Sequence, residues 1–144
     1  MLEFLVASGE ILLVTTPEPT SITDSYSLVK ALNRHPRFSK EDSQIKVIAN
    51  KVENGQEGRV LFEKLDTVVA RYLKIPMTYL GMIPQDAQLA KAVMQQMPVS
   101  IQNPDSRSAQ AYETLAAKLM NKELNKTLTK RGMEAFFSHI ISKR

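Results

Sequence analysis

Apolar residues along the chain alternate between short continuous runs and longer segments with helical spacing. Three short runs consist largely of Val, Ile and Leu without strict alternation: EILLVTT at 10–16, IKVIANKV at 45–52 and MTYLGMI at 77–83. Such runs are typical of strands that are covered on both faces, as in a parallel sheet. We therefore predict three buried β-strands.

The segments between and after these runs place their apolar residues on one side of a helix. This spacing predicts four helices, over 21–33, 56–73, 86–96 and 106–120. Thr20 or Ser21 is a candidate N-cap for the first helix, and Pro98 ends the third. Segments 34–44 and 98–105 are expected to be surface loops.

Strands that alternate with helices of this length predict an α/β fold, in the order β-α-β-α-β-α, with right-handed crossovers and a parallel β-sheet with flanking helices. A length of 144 residues fits one domain, and 43% hydrophobic residues can form its core. Cysteine is absent, which excludes disulfides, thiolate metal sites and cysteine nucleophiles. The first residues lack a basic leader, so we expect a cytoplasmic protein.

A polar or proline-rigid feature follows each predicted strand: TTPEP, ANKV and GMIPQD. Ligands bind outside the carboxyl ends of parallel strands, so Glu18, Asn50, Pro84 and Asp86 are candidate site residues. The Asn50 amide can both donate and accept, as reading a purine edge requires, and Pro84 could lie against a base. Each also has a plain structural interpretation: Glu18 as a turn residue, Asn50 as a strand terminator and Asp86 as an N-cap. Physical reasoning alone supports a small polar ligand site of unknown type.

These strand-end segments resemble a known family. ASGEILLVTTPEPTSITDSYSLVKAL, VIANKV, YLGMIPQD and QMPV are similar to the C-terminal half of MinD/ParA-family P-loop ATPases, in the flagellar site-determining branch (FlhG, also called YlxH). The resemblance covers nearly the whole chain. It implies a partial P-loop NTPase fold that lacks the N-terminal Walker A half. Family members are cytoplasmic ATPases that bind ATP with Mg, dimerise and cycle on and off the membrane.

The resemblance assigns roles to the candidate residues. Asn50 matches the family asparagine that contacts adenine, and Pro84 and Asp86 match the segment that lines the base. Glu18 matches an acidic residue near the nucleotide and the dimer interface. Implied partners are a second copy of the chain and flagellar assembly or signal-recognition-type GTPase proteins.

The catalytic part of the family site has no counterpart in the sequence. No G-x-x-x-x-G-K-[ST] phosphate loop is present, and the family's magnesium-coordinating aspartate segment would precede Met1. Without the loop's backbone donors, its lysine and the metal, charge on a transferring phosphoryl group is not stabilised. We therefore expect a fragment or separately encoded half that is inactive as an ATPase by itself. His35 and His139 have no metal-ligand spacing.

The last residues are basic. Seven Lys or Arg and two acidic residues lie between Lys118 and Arg144, whereas the preceding residues are nearly neutral. As a helix, 129–144 would carry an apolar face flanked by cations, with Met133, Phe136, Phe137, Ile140 and Ile141 beside Lys130 and Arg131. This composition suits an interfacial helix on anionic lipid, and the family ends in such a helix. The alternative is a terminal helix docked on the domain itself.

We therefore divide the chain into 1–128, part of the ATPase domain, and 129–144, a membrane-targeting helix. The leading hypothesis is a nucleotide-binding MinD/ParA-like fragment involved in flagellar number or placement, at the inner face of the membrane. The rival hypothesis is a non-enzymatic membrane- or protein-interaction module without nucleotide binding. Nucleic acid is a weaker partner, because the tail lacks aromatic residues interleaved for base stacking.

Overall fold

A computed structural model describes the backbone of residues 1–130 and the side chains of residues 1–121, and the chain alternates between strands and helices. In chain order the elements are α1 Leu2–Ala7, β1 Glu10–Thr15, α2 Pro19–Arg34, β2 Gln44–Val52, α3 Gly55–Leu73, β3 Met77–Pro84, α4 Ala87–Met94, α5 Val99–Gln102 and α6 Arg107–Lys130. The chain divides into two compact units, Met1–Tyr112 and Glu113–Arg144. Of the second unit, the structure describes helical residues 113–130. None of the helices in the described part has the length and apolarity that crossing a bilayer requires.

The sheet has three parallel strands in the order β1-β2-β3. Its register pairs Ile11 with Ile45 and Ile45 with Met77. The α/β fold and the three predicted strands are therefore confirmed, each within one residue of the predicted bounds. The prediction that every strand is covered on both faces is wrong for β1, because Leu12 and Val14 are exposed on one face. Because the strands are parallel, their carboxyl ends lie at one edge of the sheet, followed by the segments that start α2, α3 and α4.

The main core lies between the sheet and helices α2 and α3. Strand residues on one face, including Ile11, Leu13 and Val47, pack with buried residues of the two helices, including Val29, Leu32, Leu65 and Val69. These helix residues recur at three- and four-residue spacing, and this spacing is what predicts amphipathic helices over 21–33 and 56–73 from the sequence. A close approach also occurs between α3 and β3. A Cβ at Gly58 would lie 2.5 Å from the Tyr79 hydroxyl oxygen, so only glycine fits there without displacement.

Several helix boundaries differ from the sequence prediction. α2 begins at Pro19, earlier than predicted, because proline fits the first helical position and Glu18 becomes the N-cap residue. Neither Thr20 nor Ser21 caps it; instead the Ser21 Oγ accepts the Thr16 N–H at 2.9 Å. Segment 98–105 is not wholly a loop, since it contains the short helix α5. Two further differences are α1, which the pattern did not predict, and α6, which continues past residue 120 to Lys130.

Candidate functional site

Two grooves open at the carboxyl edge of the sheet. The first, here called the β2–β3 groove, has a volume of about 720 Å³ and lies between the ends of β2 and β3 and helix α4. Its lining includes Asn50, Lys51, Pro84 and Asp86. The second, here called the β1–α2 groove, has a volume of about 400 Å³, and its lining includes Thr16, Glu18 and Ser21. Three of the four predicted site residues therefore share one groove, and Glu18 lines the other.

Asn50 lies near the end of β2, where the strand departs from regular pairing. Asn50 pairs with Ile83, but the next paired residues are Val52 and Pro84, so Lys51 is bulged out of the ladder. The Asn50 Oδ1 accepts the Lys51 N–H at 2.9 Å. Within residues 1–121, whose side chains the structure describes, the Asn50 Nδ2 donates no hydrogen bond to protein, which leaves this half-buried amide with donors for a ligand.

Lys51 is a groove residue that sequence reasoning missed. Its φ of 56° is in the left-handed region, where a side chain is disfavoured and glycine is usual. Non-glycine residues held in this conformation cluster at binding sites, where the surrounding structure supports the strain. The sequence ANKV does not indicate that Lys51 is bulged, because the bulge depends on how β2 pairs with β3 rather than on residue type.

Asp86 is an N-cap that serves two helices. Its Oδ1 accepts the Gln88 N–H at 2.9 Å at the start of α4. Its Oδ2 accepts both the Ser108 N–H, at 2.9 Å, and the Ser108 hydroxyl, at 2.7 Å, in the first turn of α6. The backbone and hydroxyl donors of Ser108, then the Gln88 N–H and the nearby Arg107, hold the pKa of Asp86 below its ordinary value. These hydrogen bonds support the interpretation of Asp86 as a helix cap.

The wall of the β2–β3 groove opposite Asn50 is apolar. Val93 and Met94 of α4 are 67% and 84% exposed, and Pro84 is buried at the end of β3. Exposed apolar side chains beside an amide suit a flat heteroaromatic ligand, because its faces meet apolar surface while its polar edge meets the amide. Sequence reasoning missed Val93 and Met94 as well, because they continue an ordinary helical run. Ser108 was also missed, since nothing in its spacing from Asp86 indicates contact.

Six of the nine residues that line the β1–α2 groove carry a hydroxyl or a carboxylate. The Thr16 N–H is bound by Ser21, and the Thr15 and Ser21 hydroxyls lie 3.3 Å apart. Glu18 is exposed at the start of α2 and makes no side-chain cap hydrogen bond there. Among the described side chains, those of residues 1–121, no group of three His, Asp or Glu residues could hold a metal ion. The predicted tail residues Met133, Phe136, Phe137, Ile140, Ile141 and Arg131 lie outside the described residues.

Comparison with known proteins agrees with the resemblance. No family model matches the chain. It is 40% identical over 119 residues to the antiactivator FleN of Pseudomonas aeruginosa, covering 83% of this chain and 41% of FleN. It is 30% identical over 141 residues to the flagellum site-determining protein YlxH of Helicobacter pylori, covering 96% of this chain and 46% of YlxH. The chain thus spans less than half the length of these relatives.

Solved structures of MinD share the fold. The cell division ATPase MinD of Pyrococcus furiosus matches with a TM-score of 0.56 and 21% identity, over 81% of this chain and 44% of MinD. A MinC:MinD complex from Aquifex aeolicus matches with a TM-score of 0.53 and 21% identity, over 79% of this chain and 43% of the matched chain. With the sequence matches and the parallel sheet, these findings show that the chain belongs to the MinD/ParA family and corresponds to the C-terminal part of its members.

Proposed function

We propose that this chain supplies the adenine side of a nucleotide site in a MinD/ParA-type protein that controls flagellar number or placement. The observation that carries the proposal is the pairing, in one groove, of the Asn50 amide with the apolar side chains of α4. An asparagine amide can accept from the N6 amino group of adenine while donating to N7, whereas the matching edge of guanine carries two acceptors, O6 and N7. The names of YlxH and the MinD ATPase support the flagellar and ATP parts of the proposal.

Each groove residue has a separate part in this proposal. Asn50 reads the purine edge, Pro84 and the α4 side chains contact the flat faces of the base, and Asp86 holds the starts of α4 and α6 in position through its caps. Glu18 lines the β1–α2 groove, so in this proposal it contributes to the dimer surface rather than to the base. Phosphate and Mg binding belong to the portion of the family fold that this chain does not contain.

Adenosine binding tests the proposal. We expect the isolated chain to bind adenosine at least tenfold more tightly than guanosine, and Asn50→Ala to weaken adenosine binding about tenfold, because a bidentate amide contact contributes roughly 1–3 kcal/mol of discrimination. The affinities can be measured by titration calorimetry or ligand-detected NMR. Glu18→Ala is the matched control and should bind like the wild type, because Glu18 lines the other groove.

Two results would contradict the nucleotide proposal. Equal binding of adenosine by the wild type and Asn50→Ala would remove Asn50 from the site. Absence of adenosine binding would favour the rival hypothesis of a non-enzymatic interaction module. The isolated chain should also release no phosphate from ATP above the buffer background, and turnover that Asn50→Ala abolishes would overturn the proposal that this chain lacks the catalytic half.

We also propose that residues 129–144 bind the anionic inner face of the cell membrane. The support is the sequence pattern, with Met133, Phe136, Phe137, Ile140 and Ile141 on one helical face and basic residues beside them. The intact protein would then work at the membrane, as a homodimer, with flagellar assembly or signal-recognition-type GTPase partners. The MinC:MinD complex supports protein partnership in the family.

Vesicle sedimentation tests the membrane proposal. We expect the full chain to sediment with phosphatidylglycerol vesicles and not with phosphatidylcholine vesicles, since each basic residue near an anionic surface adds about 1 kcal/mol. Deleting 129–144 should abolish sedimentation. A Phe136→Ser, Phe137→Ser variant, which keeps every charge, should also lose it, because the apolar face inserts into the lipid. Unchanged sedimentation of the deletion variant would show that the tail does not bind the membrane.

A further inference from the structure

All the side-chain sulfur of this protein is in methionine. The sequence contains seven methionines and no cysteine, so an oxidant that attacks sulfur can react only with a thioether. Hydrogen peroxide converts a methionine thioether into a sulfoxide, and an exposed sulfur is more susceptible than a buried one. The position and exposure of each methionine therefore decide where peroxide acts and which surface it changes.

Met94 combines exposure with a place in the β2–β3 groove. It is the last residue of α4 and is 84% exposed, whereas Met77, in the core beside the sheet, is 8% exposed. Met97, three residues further on, is 48% exposed and is not among the residues that line the groove. Of the methionines whose side chains the structure describes, Met94 alone lines this groove.

Oxidation of Met94 changes the character of the groove wall. Leu89, Ala90, Val93 and Met94 recur at helical spacing and form the apolar side of the groove, with the Asn50 amide on the other side. A thioether is apolar and polarisable, and it makes favourable contacts with aromatic rings. A sulfoxide is polar and carries an oxygen that accepts hydrogen bonds. Its formation therefore places a polar group where a flat aromatic ligand meets apolar surface.

We propose that Met94 is a site of reversible oxidation by hydrogen peroxide, and that its sulfoxide weakens the binding of a flat heteroaromatic ligand in the β2–β3 groove. A sulfur lone pair attacks one peroxide oxygen, and an S–O bond forms as the O–O bond breaks. The proton of the transferred oxygen passes to the departing hydroxide, which leaves as water. The sulfur loses two electrons and the peroxide gains them. Methionine sulfoxide reductases reverse the change. This inference rests on the proposed adenine site for its ligand.

Adenosine binding before and after limited peroxide treatment tests the proposal. The full chain is treated until peptide mass spectrometry shows that Met94 is converted, and affinities are measured by titration calorimetry. We expect oxidation to weaken adenosine binding about fivefold, because a sulfur–aromatic contact is replaced by a polar group on an apolar wall. Treatment with methionine sulfoxide reductases should restore the original affinity. Bound adenosine should slow the oxidation of Met94 and leave that of Met97 unchanged.

Met94→Leu and Met97→Leu are matched variants of the same segment. The measured quantity is the ratio of the affinity after peroxide to the affinity before it, for each variant. This ratio should be close to unity for Met94→Leu, and Met97→Leu should show the same loss as the wild type. Met94→Gln, whose amide imitates the polarity of the sulfoxide, should bind adenosine about fivefold more weakly than Met94→Leu without any oxidant. If circular dichroism shows that peroxide unfolds the protein, this comparison decides.

Three results would overturn the proposal and leave the adenine site in place. They are adenosine binding that is unchanged after Met94 is oxidised, an equal loss in Met94→Leu and Met97→Leu, and a Met94→Gln variant that binds as tightly as Met94→Leu. Absence of adenosine binding by the untreated wild type would overturn both this proposal and the adenine site.

Discussion

Replacing Glu10 by glutamine is expected to lower the free energy of unfolding by about 3 kcal/mol. The Glu10 Oε1 lies 2.6 Å from the Nζ of Lys46, whose side chain is 1% exposed in the central strand. Removing the carboxylate leaves a buried ammonium without its counter-charge, which typically costs 3–5 kcal/mol. We expect the lower end of that range, roughly 3 kcal/mol, because Glu10 is 26% exposed and water can reach the pair.

Lys46→Met is the matched variant for the same pair. Methionine has nearly the shape of the lysine stem and brings no charge into the core. Lys46→Met should therefore change the free energy of unfolding by less than about 1 kcal/mol. Urea unfolding followed by circular dichroism measures both variants. Glu10→Gln should destabilise the protein more than Lys46→Met because Lys46 is the more deeply buried partner. A Glu10→Gln protein as stable as the wild type would contradict this account of the pair.

Replacing Asp86 by alanine is expected to lower the free energy of unfolding by about 2 kcal/mol. One carboxylate caps two helices, and each lost cap typically costs about 1 kcal/mol. The variant leaves the N–H groups of Gln88 and Ser108 without their acceptors. Asp86→Asn keeps one capping oxygen but not the charge, so this variant should lose less stability than Asp86→Ala. Urea unfolding at pH 7 measures the difference, and equal stability of the alanine variant and the wild type would exclude the capping role.

The pH dependence of this cap has a definite sign. The pKa of folded Asp86 is below the ordinary value of 3.8, because the donors of Ser108 and Gln88 and the charge of Arg107 favour its carboxylate. The stabilisation by the charged cap is therefore fully present above the unfolded-state pKa and is lost as the pH falls through the folded one. The stability advantage of wild type over Asp86→Asn should shrink below about pH 4. An advantage that grows in acid would contradict this assignment.

The sequence was sufficient to predict the sheet because its strands have the composition of interior strands of a parallel sheet. EILLVT and IKVIANKV are apolar without alternation, which is typical of strands in a parallel sheet, although Leu12 and Val14 of β1 are exposed on one face. Three parallel strands place their carboxyl ends at one edge, so the grouping of Asn50, Pro84 and Asp86 followed from topology alone. Their role in binding a nucleotide stays a prediction.

The features that the sequence did not reveal depend on tertiary contacts. Glu18 lines a different groove from Asn50 because α2 starts directly after it, at Pro19, so its side chain belongs to the β1–α2 corner. The burial of Lys46 depends on its pairing with Glu10, across 36 residues of sequence. The cap between Asp86 and Ser108 spans 22 residues. Residue types alone do not indicate any of these partners.

The most direct test of the central claim is to map adenosine on the ¹⁵N-labelled chain by NMR. If the β2–β3 groove holds adenine, the largest shifts on titration will occur at the amides of Asn50, Lys51, Gln85 and Gln88, and guanosine will produce much smaller ones. Largest shifts at Thr16 and Ser21, in the β1–α2 groove, would contradict the claim, as would an unchanged spectrum.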